Sequence, residues 1–280
     1  MILKIGQGNM VLNKKCLSAQ KLINRTLKAN SLLCVGLDSD FTKLPEKFRS
    51  QKHPQFAFNK WIIEQTATYV CAYKPNFAFY ESRGDQGIKE LKMTVEFLQE
   101  KYPDIFLIAD AKRGDIGSTN EGYVKEIFDW FGFDAVTLHP YLGKEALQPF
   151  LDRKDKVSII LCRTSNPGAG EFQDLETSGE PLWKKVAKTV AKKWNENKNC
   201  MLVVGATYPS EMKEIRKVTN EMTFLVPGIG AQGGEVKAIM KSGLNSQRKG
   251  MMINSARGII FDKNPQLAAK ELQEQINTFR

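Results

Sequence analysis

With 280 residues, 42% of them hydrophobic, the chain can bury a sizeable core, and its length suits one large domain or two small ones. It has no apolar run of about eighteen residues to span a bilayer, and its first residues lack the charged, apolar and small-residue order of a signal peptide, so a cytoplasmic protein without a membrane partner is expected. The net charge of +10 could signal nucleic acid, but Lys and Arg are scattered through helical patterns beside Glu and Asp, which reads as a solvated surface suited to an anionic small molecule, with no nucleic-acid partner.

A helical pattern over about 13–29 opens the chain. After it, short apolar runs alternate with helical patterns. Strands are predicted at 32–37, 70–74, 105–110, 135–138, 157–162, 201–205, 223–226 and 250–253, each a near-continuous apolar run of the kind buried on both faces. Between and after them, helices are predicted at about 56–68, 86–101, 118–131, 143–152, 181–196, 209–219, 232–242 and 265–279, the densest basic run, 184–193, forming the outer face of one of them. Eight βα units fit an α/β fold, a closed (β/α)8 TIM barrel whose lower end the N-terminal helix (1–30) would cap. An open doubly wound sheet would need a Gly-x-Gly-x-x-Gly first turn, whereas the first strand ends Gly36-Leu37-Asp38-Ser39-Asp40. No Pro-, Gly- or Ser-rich linker divides the chain, so 1–280 is expected to be a single barrel domain. The longest unpatterned stretches, 38–55 and 164–180, follow strands, on the face where barrel enzymes keep their active sites. The segment 243–250 is long for a helix-to-strand connection.

Cys16, Cys34, Cys71, Cys162 and Cys200 are odd in number and lack Cys-x-x-Cys spacing, so neither disulfides nor zinc are indicated. The polar residues of interest gather at predicted strand ends: Asp38, Lys74, Asp110, Lys112 and Ser165. Val70, Ala72 and Lys74 share a parity, as do Phe106, Ile108, Asp110 and Lys112 if that strand stays extended, which carries the charges inward behind apolar side chains. Isolated buried charges are expensive, so such a set implies mutual neutralisation or a ligand-filled cavity. The plain alternatives are a lysine snorkelling to the rim for Lys74 and a structural salt bridge for Asp110 with Lys112. Asp115 alone could cap the next helix, and His139 reads as a packed loop histidine. Val226-Pro227-Gly228-Ile229-Gly230-Ala231-Gln232-Gly233-Gly234 exposes backbone N–H groups after the seventh strand, and Arg257 beyond the eighth can add a charged fork for the same anion. Barrels commonly bind phosphate at this place. Lysine and aspartate with no metal trio or nicotinamide motif suit proton transfer or carbanion chemistry.

At this point the chain resembles the orotidine 5′-phosphate decarboxylases, in the branch with the motif Asp110-Ala111-Lys112-Arg113-Gly114-Asp115-Ile116-Gly117-Ser118-Thr119. The resemblance runs from about Leu32 to the C-terminus and includes Val35-Gly36-Leu37-Asp38, Tyr73-Lys74-Pro75-Asn76, Thr164-Ser165-Asn166-Pro167-Gly168 and Pro227-Gly228-Ile229-Gly230-Ala231-Gln232. It implies cofactor-free decarboxylation of orotidine 5′-phosphate to uridine 5′-phosphate, the last step of de novo pyrimidine synthesis. By that resemblance Lys112 stabilises and protonates the C6 carbanion, Asp110 lies beside the departing carboxylate, and Lys74 and Asp38 bind ribose hydroxyls. Ser165 would contact the pyrimidine edge, and Pro227, Gln232 and Arg257 the phosphate. Asp115 and Thr119 would reach the neighbouring subunit's site, which implies a homodimer with shared active sites. Three alternatives stay open: a metal-dependent sugar-phosphate decarboxylase on the same barrel, a Schiff-base aldolase with Lys112 or Lys74 as nucleophile, and a nucleotide-binding protein without turnover.

Overall fold

A computed structural model describes residues 16–229 and 233–280. Eight parallel strands, β1 (Leu33–Gly36), β2 (Ala72–Lys74), β3 (Phe106–Arg113), β4 (Ala135–Leu138), β5 (Val157–Arg163), β6 (Cys200–Val204), β7 (Phe224–Val226) and β8 (Met251–Ser255), follow one another around a closed barrel. β1 pairs with both β2 and β8, so no strand edge is left open. One parity of each strand fills the lumen, with Ala72, Phe106, Ile108, Ala135, Ile159, Val203, Leu225 and Met252 among its residues. The other parity, including Val35, Tyr73, Leu107, Val136, Leu202 and Ile253, packs against the helices. Burial on both faces is why the strands read as continuous apolar runs.

Helices Pro54–Thr66, Gly84–Lys101, Gly117–Val124, Gly143–Leu151, Leu182–Thr189, Pro209–Thr219, Gly233–Gly243 and Pro265–Thr278 occupy the connections and the C-terminus, two of them prolonged by π-helical turns at Lys125–Phe131 and Val190–Trp194. Proline at the first helical position starts three of these helices, where its missing N–H is no loss and its φ is already helical. Asn264 caps the last by accepting the Leu267 N–H at 3.1 Å.

The expected N-terminal helix is Leu17–Lys28; the start placed at about residue 13 lies outside the described residues. It closes the N-terminal face. Ser18 N–H donates to Asp155 O, Lys21 pairs with Asp134 at 2.7 Å, and Arg25 Nε donates to Val70 O at 3.0 Å, all just before barrel strands.

One reading is corrected. The stretches 38–55 and 164–180 hold short elements: Phe41–Lys43, Glu46–Arg49, Gly170–Gln173 and a hairpin of Glu176–Thr177 with Glu180–Pro181. Elements of two to four residues are too short to show a hydrophobic period. The 243–250 connection is a compact loop. Asn245 Oδ1 accepts the N–H groups of Gln247 and Lys249, and the Arg216 guanidinium donates to the carbonyls of Gly243 and Gly250.

Candidate active site

The charged side chains converge at the C-terminal mouth of β1–β3. Lys74 is the last residue of β2 and follows Ala72 into the lumen, leaving it 3% exposed. Its Nζ lies 2.7 Å from Asp110 Oδ2 and 3.7 Å from Asp38 Oδ1, while Lys112 Nζ lies 2.7 Å from Asp110 Oδ1. The result is an alternating row, Asp38, Lys74, Asp110, Lys112, in which each buried charge has an opposite neighbour. Lys112 is the open end of the row, with its side chain half exposed at the mouth.

Burial pushes the Asp110 carboxyl up, but the ammoniums of Lys74 and Lys112 more than offset this and hold it well below the usual carboxylate range. Burial works against the Lys74 ammonium, and the carboxylates of Asp110 and Asp38 outweigh it, so Lys74 is held charged. Asp38 goes the other way. Its burial dominates, Asp110 adds like-charge repulsion, and the carboxyl is raised although Lys74 and Lys112 pull it down. Asp38 Oδ1 is buried without a hydrogen-bond partner.

The expectation that β3 stays extended as far as Lys112 is corrected. Ala109 pairs with Val136 but Arg113 pairs with Leu138, so the strand bulges, and Lys112 takes a left-handed φ of 47°. Phe106, Ile108 and Asp110 keep the inward parity; Lys112 returns to Asp110 by the turn of the bulge instead. Its N–H donates to Thr137 Oγ1 at 3.0 Å. The loop after β2 is tied in as well, since Asp110 N–H donates to Pro75 O and Phe77 N–H to Asp110 O.

Asp115 and Thr119 are exposed and make no hydrogen bond or ion pair with this row. Asp115 does not cap the following helix: the cap position is Ile116 and carries no side-chain cap bond, while Asp115 Oδ1 accepts only the adjacent Ile116 N–H. Asn120 fixes the turn by accepting the Asp115 N–H at 3.0 Å and donating to Ala146 O at 2.6 Å. His139 is half-buried in the neighbouring loop.

Across the mouth, Ser165 packs beside Gly228, whose φ is +91° and where an added Cβ would stand 3.2 Å from Ser165 Oγ. Pro227 O accepts the Ala206 N–H at 3.0 Å. Gln232 lies outside the described residues. Arg257 is exposed just after β8 and shares with Asp38, Gly228, Ile229 and Asn254 the lining of a cleft of about 800 Å³. The structure therefore joins the row of charges to the β7 and β8 loops through Asp38, and sets Asp115 and Thr119 apart from both.

Two polar side chains of the mouth had gone unremarked in the sequence. Thr137 follows Ala135 inward on β4 and is 1% exposed; Asn254 follows Met252 inward on β8 and is 8% exposed. The parity that singles out Lys74 picks out both. Among the described residues, no group of three or more His, Cys, Asp or Glu side chains is placed to hold a metal ion.

A mouth of this kind defines a class of protein: (β/α)8-barrel enzymes whose chemistry rests on paired ammonium and carboxylate groups at the strand ends. Residues 31–272 match the family model described as "Orotidine 5'-phosphate decarboxylase / HUMPS family", and the chain belongs to that family. It is 49% identical over 245 residues to the orotidine 5′-phosphate decarboxylase of Christiangramia forsetii, covering 88% of this chain and 89% of the relative. To that of Cellvibrio japonicus it is 44% identical over 270 residues, covering 93% and 98%. Among solved structures, Leishmania donovani OMP decarboxylase superposes with a TM-score of 0.84 at 37% identity, covering 94% of this chain and 98% of the other. The L. donovani UMP synthase gives the same TM-score at 40% identity, covering 93% of this chain and 55% of that larger one.

Proposed function

We propose that this protein is a carboxy-lyase that converts orotidine 5′-phosphate to uridine 5′-phosphate and CO2, acting as one barrel domain. The observation that carries this is the Lys112 ammonium, held at the open mouth 2.7 Å from a carboxylate that stays ionised under all ordinary conditions. The bond from C6 to the carboxylate breaks, CO2 leaves, and the electron pair stays on C6 facing Lys112. The ammonium stabilises that pair and gives it a proton, and the neutral amine regains one from water. Asp110 stands beside the departing carboxylate and pre-orients Lys112. Lys74 and Asp38 take the ribose hydroxyls, and Ser165 the pyrimidine edge. The loop containing Pro227 and Gln232, with Arg257, holds the phosphate. The phosphate is remote from C6, so its binding energy serves to orient the reacting end.

A homodimer with shared sites accounts for Asp115 and Thr119. Their exposure, together with that of Ile116 at 58% and of Tyr141 and Leu142 in the neighbouring loop at 86% and 45%, suits a surface that a second copy covers. A cytoplasmic setting fits the five free, buried cysteines. The metal-dependent alternative is disfavoured by Lys74, whose ammonium occupies the space between Asp38 and Asp110 where a bridging cation would sit. Binding without turnover gives no reason for the row of opposed charges.

Chelator-stripped protein is expected to consume orotidine 5′-phosphate, followed as loss of its ultraviolet absorbance, and Lys112→Ala to lose about 10⁴-fold in kcat while still binding uridine 5′-phosphate. Absence of turnover by the folded wild-type protein would sink the assignment. Near-normal turnover by Lys112→Ala would show that another group supplies the proton.

A further inference from the structure

The break in the β3–β4 ladder gives one residue an uncommon place. Ala109 faces Val136 and Arg113 faces Leu138, so Asp110, Ala111 and Lys112 all stand opposite the single residue Thr137. A bulge leaves backbone donors without carbonyl partners, and the left-handed φ of Lys112 is one that an L residue holds only when its surroundings impose it. Thr137 imposes it. Its Oγ1 accepts the Lys112 N–H at 3.0 Å, and its one hydroxyl proton goes to Asp110 Oδ1, also at 3.0 Å. That oxygen is the one that Lys112 Nζ contacts at 2.7 Å.

The contacts close a ring, from the Lys112 N–H to Thr137 Oγ1, on to Asp110 Oδ1, and back through Lys112 Nζ along its own side chain. Lys112 is thus gripped at its backbone and at its ammonium by groups that a single buried hydroxyl connects. Thr137 is 1% exposed, so no bulk water competes for the hydroxyl, and its β-branch restricts χ1. Asp110 Oδ2 is taken by Lys74, so the Thr137 bond to Oδ1 completes the fixing of the carboxylate plane.

We propose that Thr137 is a positioning residue for the decarboxylation: its hydroxyl locks the β3 bulge and holds the Lys112 ammonium and the Asp110 carboxylate in the one arrangement that meets the reacting carbon. The proposal rests on Lys112 and Asp110 having the roles given above. The Thr137 hydroxyl bonds to Lys112 and Asp110 and to none of the residues assigned to the sugar or the phosphate, so its loss falls on the chemical step rather than on binding.

The test compares Thr137→Val, which keeps the shape and removes the hydroxyl, with Thr137→Ser, which keeps the hydroxyl, using wild type and Lys112→Ala in the same assay. Sites are counted by titration with uridine 5′-phosphate. Thr137→Val is expected to lower kcat per site by about 10²-fold, the scale of a small misplacement of a catalytic group, with KM and product affinity within about threefold. Thr137→Ser is expected to stay within about fivefold of wild type in kcat. A merely structural role would reduce the number of titratable sites and leave kcat per site intact, and that outcome overturns the proposal. So does a valine variant with normal kcat, a rise in KM alone, or a serine variant as slow as the valine. If the valine variant does not fold, Thr137→Ala makes the same comparison against serine, because its smaller side chain leaves room for a water to take the Lys112 N–H. A wild type without turnover removes the assignment of function. A normal Thr137→Val beside an inactive Lys112→Ala removes the role of Thr137 alone.

Discussion

Asp38 and Asp110 are carboxylates of one cluster with opposite energetics. Asp110 accepts from Lys74, Lys112 and Thr137, so although burial pushes its carboxyl up, the two ammoniums hold it below its ordinary value. Its folded pKa lies below the unfolded one, so it contributes stability above about pH 4 that is lost only as pH falls through the depressed value. Asp38 has no such company at Oδ1, and burial raises its pKa. Between the unfolded value and the raised one the native state binds the extra proton, so stability falls as pH rises through that window, and the ionised group is a net cost at pH 7. Asp38→Asn is therefore expected to be at least as stable as wild type in urea denaturation at pH 7, with any advantage shrinking as pH falls through the raised value. It should also have a higher KM, since the amide replaces the carboxylate assigned to the ribose. Asp110→Asn, which takes the nearest carboxylate from the buried Lys74 ammonium, is expected to lose about 3 kcal/mol or more at the same pH. Equal destabilisation by the two substitutions would contradict this division.

At the scale of elements, the glycine-rich turn after β7 depends on Gly228. Its φ of +91° and the 3.2 Å separation of an added Cβ from Ser165 Oγ mean that Gly228→Ala strains the loop by about 1–2 kcal/mol and displaces Ser165. A KM about tenfold higher, the equivalent of about 1.4 kcal/mol, is expected together with an unfolding midpoint lower by about 2–4 °C; an unchanged KM would detach the turn and Ser165 from substrate binding. The barrel itself was legible because each strand is apolar on both faces and each helix is long enough to show its period. The inward lysine of β2 was legible because Ala72 and Lys74 share a parity, although Val70, counted with them, precedes the strand and packs on the helix side. The bulge in β3 was not. Lysine carries no local preference for a left-handed φ, and the turn at Lys112 is set by Thr137, which is 25 residues away in sequence. Period-two reasoning placed Asp110 correctly and reached Lys112 by the wrong path. The 243–250 connection was opaque for a similar reason: its shape comes from Asn245 and from Arg216 on another helix.

For the whole molecule, the question is how many chains make one site. Within its own chain the Asp38 to Lys112 row is complete, yet Asp115 and Thr119 stand exposed outside it, and Asn120 holds the Asp115 turn in a fixed shape without drawing the carboxylate inward. A hydrogen-bonded turn that presents an acidic side chain and a 58% exposed isoleucine to solvent makes physical sense if a second copy accepts both. In a twofold dimer, each site then takes its row from one chain and Asp115 with Thr119 from the other. Complementation tests this directly. A Lys112→Ala chain has a defective row but an intact Asp115, and an Asp115→Asn chain has the reverse, so their heterodimer assembles one wholly native site and one doubly defective site. Mixing the two inactive proteins under conditions that exchange subunits should form heterodimers as about half of all dimers, restoring about a quarter of wild-type activity. If Asp115 instead served its own chain, every site in every heterodimer would carry one defect, and heterodimers verified by differential tagging would remain inactive.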